Sequence, residues 1–334
     1  FLYYIKFFGK SKVFRAILFT IAEKFGIMVD MVAIRKSLYD QRAAGLVYSG
    51  AEVLALFFTF FFALILSSLG IEVPDDPSVY PDWYRYCGYI LPQAAFCLTV
   101  VLFFVFVDAK PKEVYRGAKV RYFLVAVLLQ FGLFSLSRAN AEFIGVLERV
   151  FGYTMPASGL PSLEGWYIVP VLLVVAVLPA VFEESIFRGL MLGPMKKFST
   201  PVAVLLSGAL FALYHQSPAQ TVYQFCCGCA FALVAIRAGS VLPTMLAHFL
   251  NNAFVIVLTA CGISDFTGAG GIAFYCLSGL SLAASLVYLL FVDRTGNEKK
   301  SVSVKAFLLT ASAGVAVCAI LWVANLLDGM GVLG

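Results

Sequence analysis

The stretch VFEESIFRGL, residues 181–190, places three ionisable side chains at the end of a long apolar run. An ionised side chain near the centre of a bilayer costs about 2.5–3.5 kcal/mol on insertion scales, so such residues usually face a bundle interior. Glu184 and Arg188 are four residues apart and share one helix face, where they can form an ion pair. Glu183 points about 100° away around the helix axis and has no partner in its own helix. The spacing predicts an anchored pair beside one carboxylate that is available as a general base.

The two histidines of the chain, His215 and His248, both lie in apolar runs. His248 and Asn252 are four residues apart, so they share a helix face. Structural roles are the alternative to a functional site. A single histidine in a membrane helix is usually a hydrogen-bond donor between helices. The charges at 181–190 could likewise form a structural ion network. Successive apolar runs within 183–252 nevertheless contain both histidines, the Glu pair and Asn252. This clustering indicates a common site.

Three kinds of chemistry fit these residues. In the first, Glu183 and His215 polarise a water for attack on a peptide carbonyl. His248 and Asn252 then donate hydrogen bonds to the developing oxyanion. In the second, Glu183, His215 and His248 bind Zn²⁺ and leave one position open for water, although no HExxH sequence supports it. In the third, the carboxylate and the histidines form a proton relay in a transporter.

The composition predicts which elements must position this site. The chain is 61% hydrophobic and 13% charged, whereas soluble domains carry about 25% charged residues. Alternation typical of barrel strands is absent, so the predicted fold is all-α, a polytopic bundle of about eight or nine transmembrane helices. The apolar runs that approach the roughly 20 residues needed for a span are 46–70, 87–107, 122–137, 166–190, 199–215, 219–236, 240–262, 269–292 and 306–327. Because 122–137 and the two halves of 199–236 are short, we expect one of them to be tilted, bent or not fully spanning.

The distribution of the net charge of +5 predicts the topology. Basic clusters precede residue 46 and recur at 110–121, 196–197, 237 and 294–305, all on one predicted side of the membrane. The positive-inside rule then places the N-terminus in the cytoplasm. We expect an integral protein of the plasma membrane whose partners are the lipid bilayer and a peptide or protein substrate. The basic clusters indicate topology, and no nucleic-acid partner is expected.

Two segments differ from the apolar runs. Residues 1–45 combine basic residues with one apolar helical face, which predicts an amphipathic helix on the cytoplasmic interface. Residues 46–334 are then the transmembrane domain. The mixed segment 138–165 predicts a short surface helix over the outer face.

Three motifs in this window resemble a known family. EESIFR at 183–188 is similar to the EExxxR motif of the type II CAAX prenyl endopeptidases and their bacterial relatives, the CPBP or Abi intramembrane proteases. FALYH at 211–215 resembles their FxxxH motif, and HFLNN at 248–252 resembles their HxxxN motif. The three occur in the family order, and the resemblance covers a core at about 166–260.

The resemblance implies endoproteolysis within the membrane. Glu183 and His215 would activate the water, and His248 and Asn252 would form the oxyanion site. Glu184 and Arg188 would support the site or position the substrate. The resemblance favours a metal-independent glutamate mechanism without a cofactor, with zinc held by Glu183, His215 and His248 as the alternative. Some relatives act as non-enzymatic scaffolds or in bacteriocin immunity, so these functions remain alternatives.

Overall fold

The computed structural model describes residues 39–74, 76–107, 109–155, 159–263, 265–297 and 302–332. Ten main helices follow one another along these ranges. They are α1 Gln41–Ser68, α2 Asp82–Phe106, α3 Val120–Leu133, α4 Leu136–Phe151, α5 Gly165–Met195, α6 Thr200–Tyr214, α7 Thr221–Ala238, α8 Leu242–Ala260, α9 Gly268–Val292 and α10 Lys305–Gly329.

The helices confirm the predicted fold class, a polytopic all-α membrane protein. Eight helical stretches in the described ranges are long and apolar enough to cross a membrane, with α3 and α4 counted as one stretch over Val120–Phe151. The α6 helix has 15 residues and is shorter than a full span. The α4 helix covers the first part of the 138–165 segment, and its buried residue is Leu147. Its location on the outer surface stays a prediction, because α4 is counted with α3 in one candidate span.

The N-terminal amphipathic segment lies outside the described residues as far as residue 38. The α1 helix begins at Gln41, so the last residues of the 1–45 segment already belong to the first long helix. The carboxylate of Asp40 caps this helix, because its Oδ1 accepts from the backbone N–H groups of Arg42 at 2.8 Å and Ala43 at 3.3 Å. Such an N-cap satisfies donors that the first helical turn leaves unpaired.

The α5 helix, which carries the glutamates, is irregular at two places. The stretches Leu172–Val177 and Ser185–Met191 are π-helical, and widened turns of this kind are frequent at functional sites. Pro179 has no N–H to give to the carbonyl four residues earlier, that of Val175. Asn252 of α8 supplies the missing donor, because its Nδ2 lies 2.9 Å from Val175 O. This hydrogen bond therefore joins α8 to the irregular part of α5.

Close backbone approach brings α6 and α7 together at two glycines. A Cβ added to Gly228 would lie 2.7 Å from the Cα of Gly208. This distance is too short for any larger residue, and small residues at such crossings are a common basis of helix packing in membranes. The Gly228 carbonyl at this crossing accepts from Arg188 in the C-terminal part of α5.

The C-terminal helix α10 packs on α1 and reaches the turn that follows α6. Ser49 of α1 donates from Oγ to Thr310 O at 2.7 Å. At the other end of α10, Asn325 donates from Nδ2 to Gln216 O at 2.7 Å. Gln216 has a φ of 52°, in the left-handed region that non-glycine residues rarely adopt. The α10 helix therefore stabilises the strained turn immediately after His215.

Candidate active site

The predicted Glu184–Arg188 pair is present in the core of the bundle. Arg188 Nη1 lies 2.8 Å from Glu184 Oε1, and neither side chain is exposed. Arg188 Nη2 also donates to Gly228 O at 3.2 Å. Its guanidinium carbon lies 4.2 Å from the ring centroid of Phe211, within the range of a cation–π interaction. The charge of Arg188 is thus balanced by one carboxylate, one carbonyl and an aromatic face.

His248 of α8 joins the two glutamates of α5. Its Nδ1 lies 3.0 Å from Glu184 Oε1. An ionised carboxylate can only accept, so Nδ1 carries the proton in this contact. The other ring nitrogen, Nε2, lies 3.8 Å from Glu183 Oε2. The Glu184–Arg188 pair therefore orients the histidine, and the histidine presents its second nitrogen to Glu183.

Glu183 has one satisfied and one unsatisfied oxygen. Its residue exposure is 6%. Oε1 accepts from Gln93 Nε2 of α2 at 2.9 Å, whereas Oε2 has no hydrogen-bond partner among the described residues. Buried polar atoms are normally paired with protein or water, so an unpaired carboxylate oxygen indicates a position for a water or a substrate group.

His215 follows the last residue of α6 and has a defined tautomer. Its Nδ1 lies 2.8 Å from Phe211 O. A backbone carbonyl only accepts, so Nδ1 carries the proton and Nε2 keeps its lone pair for accepting one. The ring contacts Phe211 at a centroid distance of 4.7 Å, and Phe211 also faces His248 at 5.9 Å. Among the described residues, no hydrogen bond or ion pair joins His215 to Glu183, whose neighbouring histidine is His248.

Asn252 lies one helical turn after His248. One of its amide hydrogens is used, because Nδ2 donates to Val175 O at 2.9 Å. Its Oδ1 accepts from Asn251 Nδ2 at 2.9 Å. The side chain is therefore fixed in orientation, and the second N–H of Nδ2 has no acceptor among the described residues.

Three polar side chains at the site, those of Gln93, Gln130 and Asn251, were not identified from the sequence. Gln93 holds Glu183, and Asn251 orients Asn252 while its Oδ1 accepts from Gln130 Nε2 at 2.9 Å and from Tyr223 OH at 2.8 Å. Gln93 and Gln130 are single glutamines within otherwise apolar runs. A polar residue in such a position costs free energy unless it has a partner, and this signal could have identified both.

We expect Gln93→Leu to lower the activity of the site roughly 10- to 100-fold, because a hydrogen bond to a charged group contributes about 1.5–3 kcal/mol. Without this donor, the Glu183 carboxylate is no longer held in one orientation. Thr99→Val is the matched control, because Thr99 is buried on the same helix and bonds to Ala95 O within it at 2.9 Å. Equal rates for both variants in the cleavage assay described below would contradict the role of Gln93.

The residues of the alternative zinc set are not arranged as a metal site. Among the described residues, no group of three or more His, Cys, Asp and Glu side chains lies close enough to hold a metal ion. His248 Nδ1 is engaged by Glu184, and His215 Nδ1 by a carbonyl. Glu183 Oε2 and His248 Nε2 lie 3.8 Å apart, but catalytic zinc sites use three protein ligands. No third such side chain, His215 included, forms one group with them among the described residues. The donor set therefore does not fit zinc in this arrangement.

The fold and the site together define a polytopic α-helical membrane protein with a buried cluster of glutamate, histidine, arginine and asparagine. Residues 165–254 match the model of the family described as type II CAAX prenyl endopeptidase Rce1-like. The match confirms the resemblance seen in the three motifs and indicates a CAAX-type protease family. It runs from α5 into α8 and covers less than a third of the 334 residues. Searches of the curated proteins and of the solved structures returned no match.

Proposed function

We propose that the chain is an intramembrane endopeptidase that hydrolyses a peptide bond of a membrane-embedded or lipidated substrate. The observation that carries this proposal is the buried pair formed by Glu183 Oε2 and His248 Nε2. The oxygen has no hydrogen-bond partner among the described residues, and the nitrogen lies 3.8 Å from it. A water that contacts both atoms would lie within hydrogen-bond reach of a base, which is the geometric requirement for general base catalysis.

In the proposed reaction, Glu183 accepts a proton from this water, and the oxygen attacks the carbonyl carbon of the substrate. His215 Nε2, which keeps its lone pair, assists in polarising the water. The C–N bond then breaks, and the proton held by Glu183 passes to the leaving nitrogen. The products are a new carboxyl group and a new amine, so no other reactant is consumed.

The developing oxyanion requires hydrogen-bond donors directed at it. We assign this role to the second N–H of Asn252 Nδ2 and to an N–H at His248 Nε2, which contacts the water before the attack and the oxyanion after it. Donors directed at developing negative charge in a site that excludes water commonly contribute about 10²–10³-fold to the rate each. Glu184 and Arg188 act through His248 and are positioning residues.

The proposed location is the plasma membrane, with the basic ends of the helices in the cytoplasm. The substrate would reach the site from the bilayer or from the membrane surface. A lipid anchor would hold the substrate in the bilayer beside α5 and α8, so lipidated peptides are favoured over soluble ones.

The proposed reaction is tested with the purified full chain in proteoliposomes. A fluorogenic peptide that ends in a prenylated cysteine motif is compared with the same peptide without the prenyl group. We expect cleavage of the prenylated peptide to be faster, and we expect a chelator of zinc to change its rate by less than about twofold. Loss of activity on chelation, restored by added zinc, would overturn the metal-independent mechanism. Failure of the wild-type protein to cleave either peptide, or any member of a membrane peptide library, would overturn the protease assignment.

A further inference from the structure

A basic cavity of about 310 Å³ lies at the end of the bundle where α3 begins and α7 ends. Four cationic side chains line it, and none of them belongs to the candidate active site. They are Arg116, Lys119, Arg121 and Arg237. We name this feature the basic cavity.

The walls of the basic cavity are held by hydrogen bonds to the backbone. Arg237 is 2% exposed and donates from Nε to Leu289 O at 2.8 Å and from Nη1 to Thr295 O at 3.0 Å. Arg116 donates from Nε to the carbonyl of Gly239. The guanidinium groups are therefore fixed, so binding a ligand there would cost little additional side-chain entropy.

Acids among the described residues balance only part of the charge that lines the basic cavity. Of its four cations, Arg121 alone has a carboxylate within ion-pair distance among the described residues, namely Asp293 at 3.3 Å. Partial burial opposes ionisation of Asp293, but hydrogen bonds from Thr295 and Tyr122, together with Arg121, hold the pKa of its carboxyl below the usual value. Asp293 is thus an anion at neutral pH, and the four cations and this acid leave an excess of positive charge.

Membrane topology alone does not explain this arrangement. The positive-inside rule requires Lys and Arg near the helix ends, but it does not require them to face one cavity. Here they come from the segment before α3, from the first turn of α3 and from the end of α7. The loop after α9 closes the cavity at Thr295. The segment before α3 and the loop after α9 lie outside the region 165–254 that matches the protease family.

We propose that the basic cavity is a binding site for a phosphate group, either on an anionic lipid headgroup or on a free phosphate ester. Arginine presents fixed N–H groups that match phosphate oxygens, and lysine adds a point charge. Basic cavities between transmembrane helices at the cytoplasmic side are suited to anionic headgroups. Neither Glu183 nor its neighbours take part, so the proposal is independent of the protease reaction.

The test is equilibrium binding to the full chain in an uncharged detergent at about 0.15 M salt. The probes are dihexanoyl phosphatidic acid, dihexanoyl phosphatidylcholine and inorganic phosphate. We expect phosphatidic acid to bind and phosphatidylcholine, which has the same chains without net charge, to bind at least about tenfold more weakly. Inorganic phosphate that competes with phosphatidic acid would identify the phosphate group itself as the ligand, whereas no competition would identify a lipid headgroup.

The variant Lys119→Glu reverses one exposed charge of the basic cavity without removing a wall hydrogen bond, and we expect it to weaken phosphatidic acid binding by about tenfold or more. Lys112→Glu makes the same change at an exposed lysine before α3 that does not line the cavity. It is expected to change the affinity by less than about twofold, and Glu183→Gln is expected to leave it unchanged. Absence of phosphatidic acid binding to the wild type, or equal losses in Lys119→Glu and Lys112→Glu, would overturn the proposal.

Discussion

Replacing Glu183 with Gln is expected to lower the rate of peptide cleavage by about 10²–10⁴-fold, because it removes the general base and keeps the shape of the side chain. The amide oxygen of Gln can still accept from Gln93 Nε2, which lies 2.9 Å from Glu183 Oε1. The variant should therefore fold normally, and its loss should appear in kcat more than in KM. The measurement is single-turnover cleavage of the prenylated peptide in proteoliposomes, with protein yield and unfolding temperature recorded in parallel.

Glu52→Gln is the matched control for this experiment. Glu52 is a glutamate of α1 that is 1% exposed. It lies near enough to Glu183 to interact with it electrostatically, but no hydrogen bond among the described residues joins it to Glu183, His215, His248 or Asn252. The Glu52→Gln variant makes the same chemical change at a comparably buried position. We expect it to retain most of the activity. An equal loss in both variants would mean that any buried carboxylate matters for stability, and the assignment of Glu183 as the base would fail.

Replacing Arg188 with Leu is expected to destabilise the protein strongly, by about 3–5 kcal/mol, because removal of one partner leaves a buried charge uncompensated. The Glu184 carboxylate would keep its negative charge at a position that water does not reach. The Gly228 carbonyl would also lose the donor Nη2, now at 3.2 Å. Thermal unfolding in detergent and the yield of monodisperse protein are the direct measurements.

A double variant separates loss of the pair from loss of packing. Glu184→Leu together with Arg188→Leu removes both charges, and replacement of a complete buried ion pair is often far less costly than removal of one partner. We expect the double variant to be more stable than Arg188→Leu alone. It should remain poorly active, because His248 loses the Glu184 oxygen that orients its Nδ1. A single Arg188→Leu variant with wild-type unfolding temperature would contradict this description of the core.

Short-range features of the site followed directly from the sequence. The four-residue spacing of Glu184 and Arg188 predicted their ion pair, since helical geometry alone brings such positions together.

The apolar runs predicted most helices closely, but the run at 122–137 continues as α4 to Phe151. Charged residues within 138–151 interrupt the apolar run, yet they remain compatible with a helix that keeps most of its surface exposed. The helix ends at Gly152, which adopts a φ of 66°.

Contacts between helices were harder to predict, because they depend on the rotation and depth of each helix. The sequence suggested both histidines as partners of Glu183 without indicating which one lies beside it. In the structure His248 Nε2 is 3.8 Å from Glu183 Oε2, and the role of His215 stays a prediction. The π-helical stretches of α5 and the missing N–H of Pro179 alter the rotation of this helix, and regular helical spacing does not predict that change. Gln93 contacts Glu183 across 90 positions of sequence, a separation at which a single sequence contains no geometric information.

The most direct test of a water-mediated hydrolysis at Glu183 is cleavage in ¹⁸O-labelled water, followed by mass spectrometry of the products. Proteoliposomes with the wild-type protein are predicted to release a fragment whose new carboxyl group contains one ¹⁸O atom. The Glu183→Gln protein, at the same folded concentration, is predicted to yield little or none of this fragment. Equal amounts of the labelled fragment from both proteins would contradict the proposed role of Glu183.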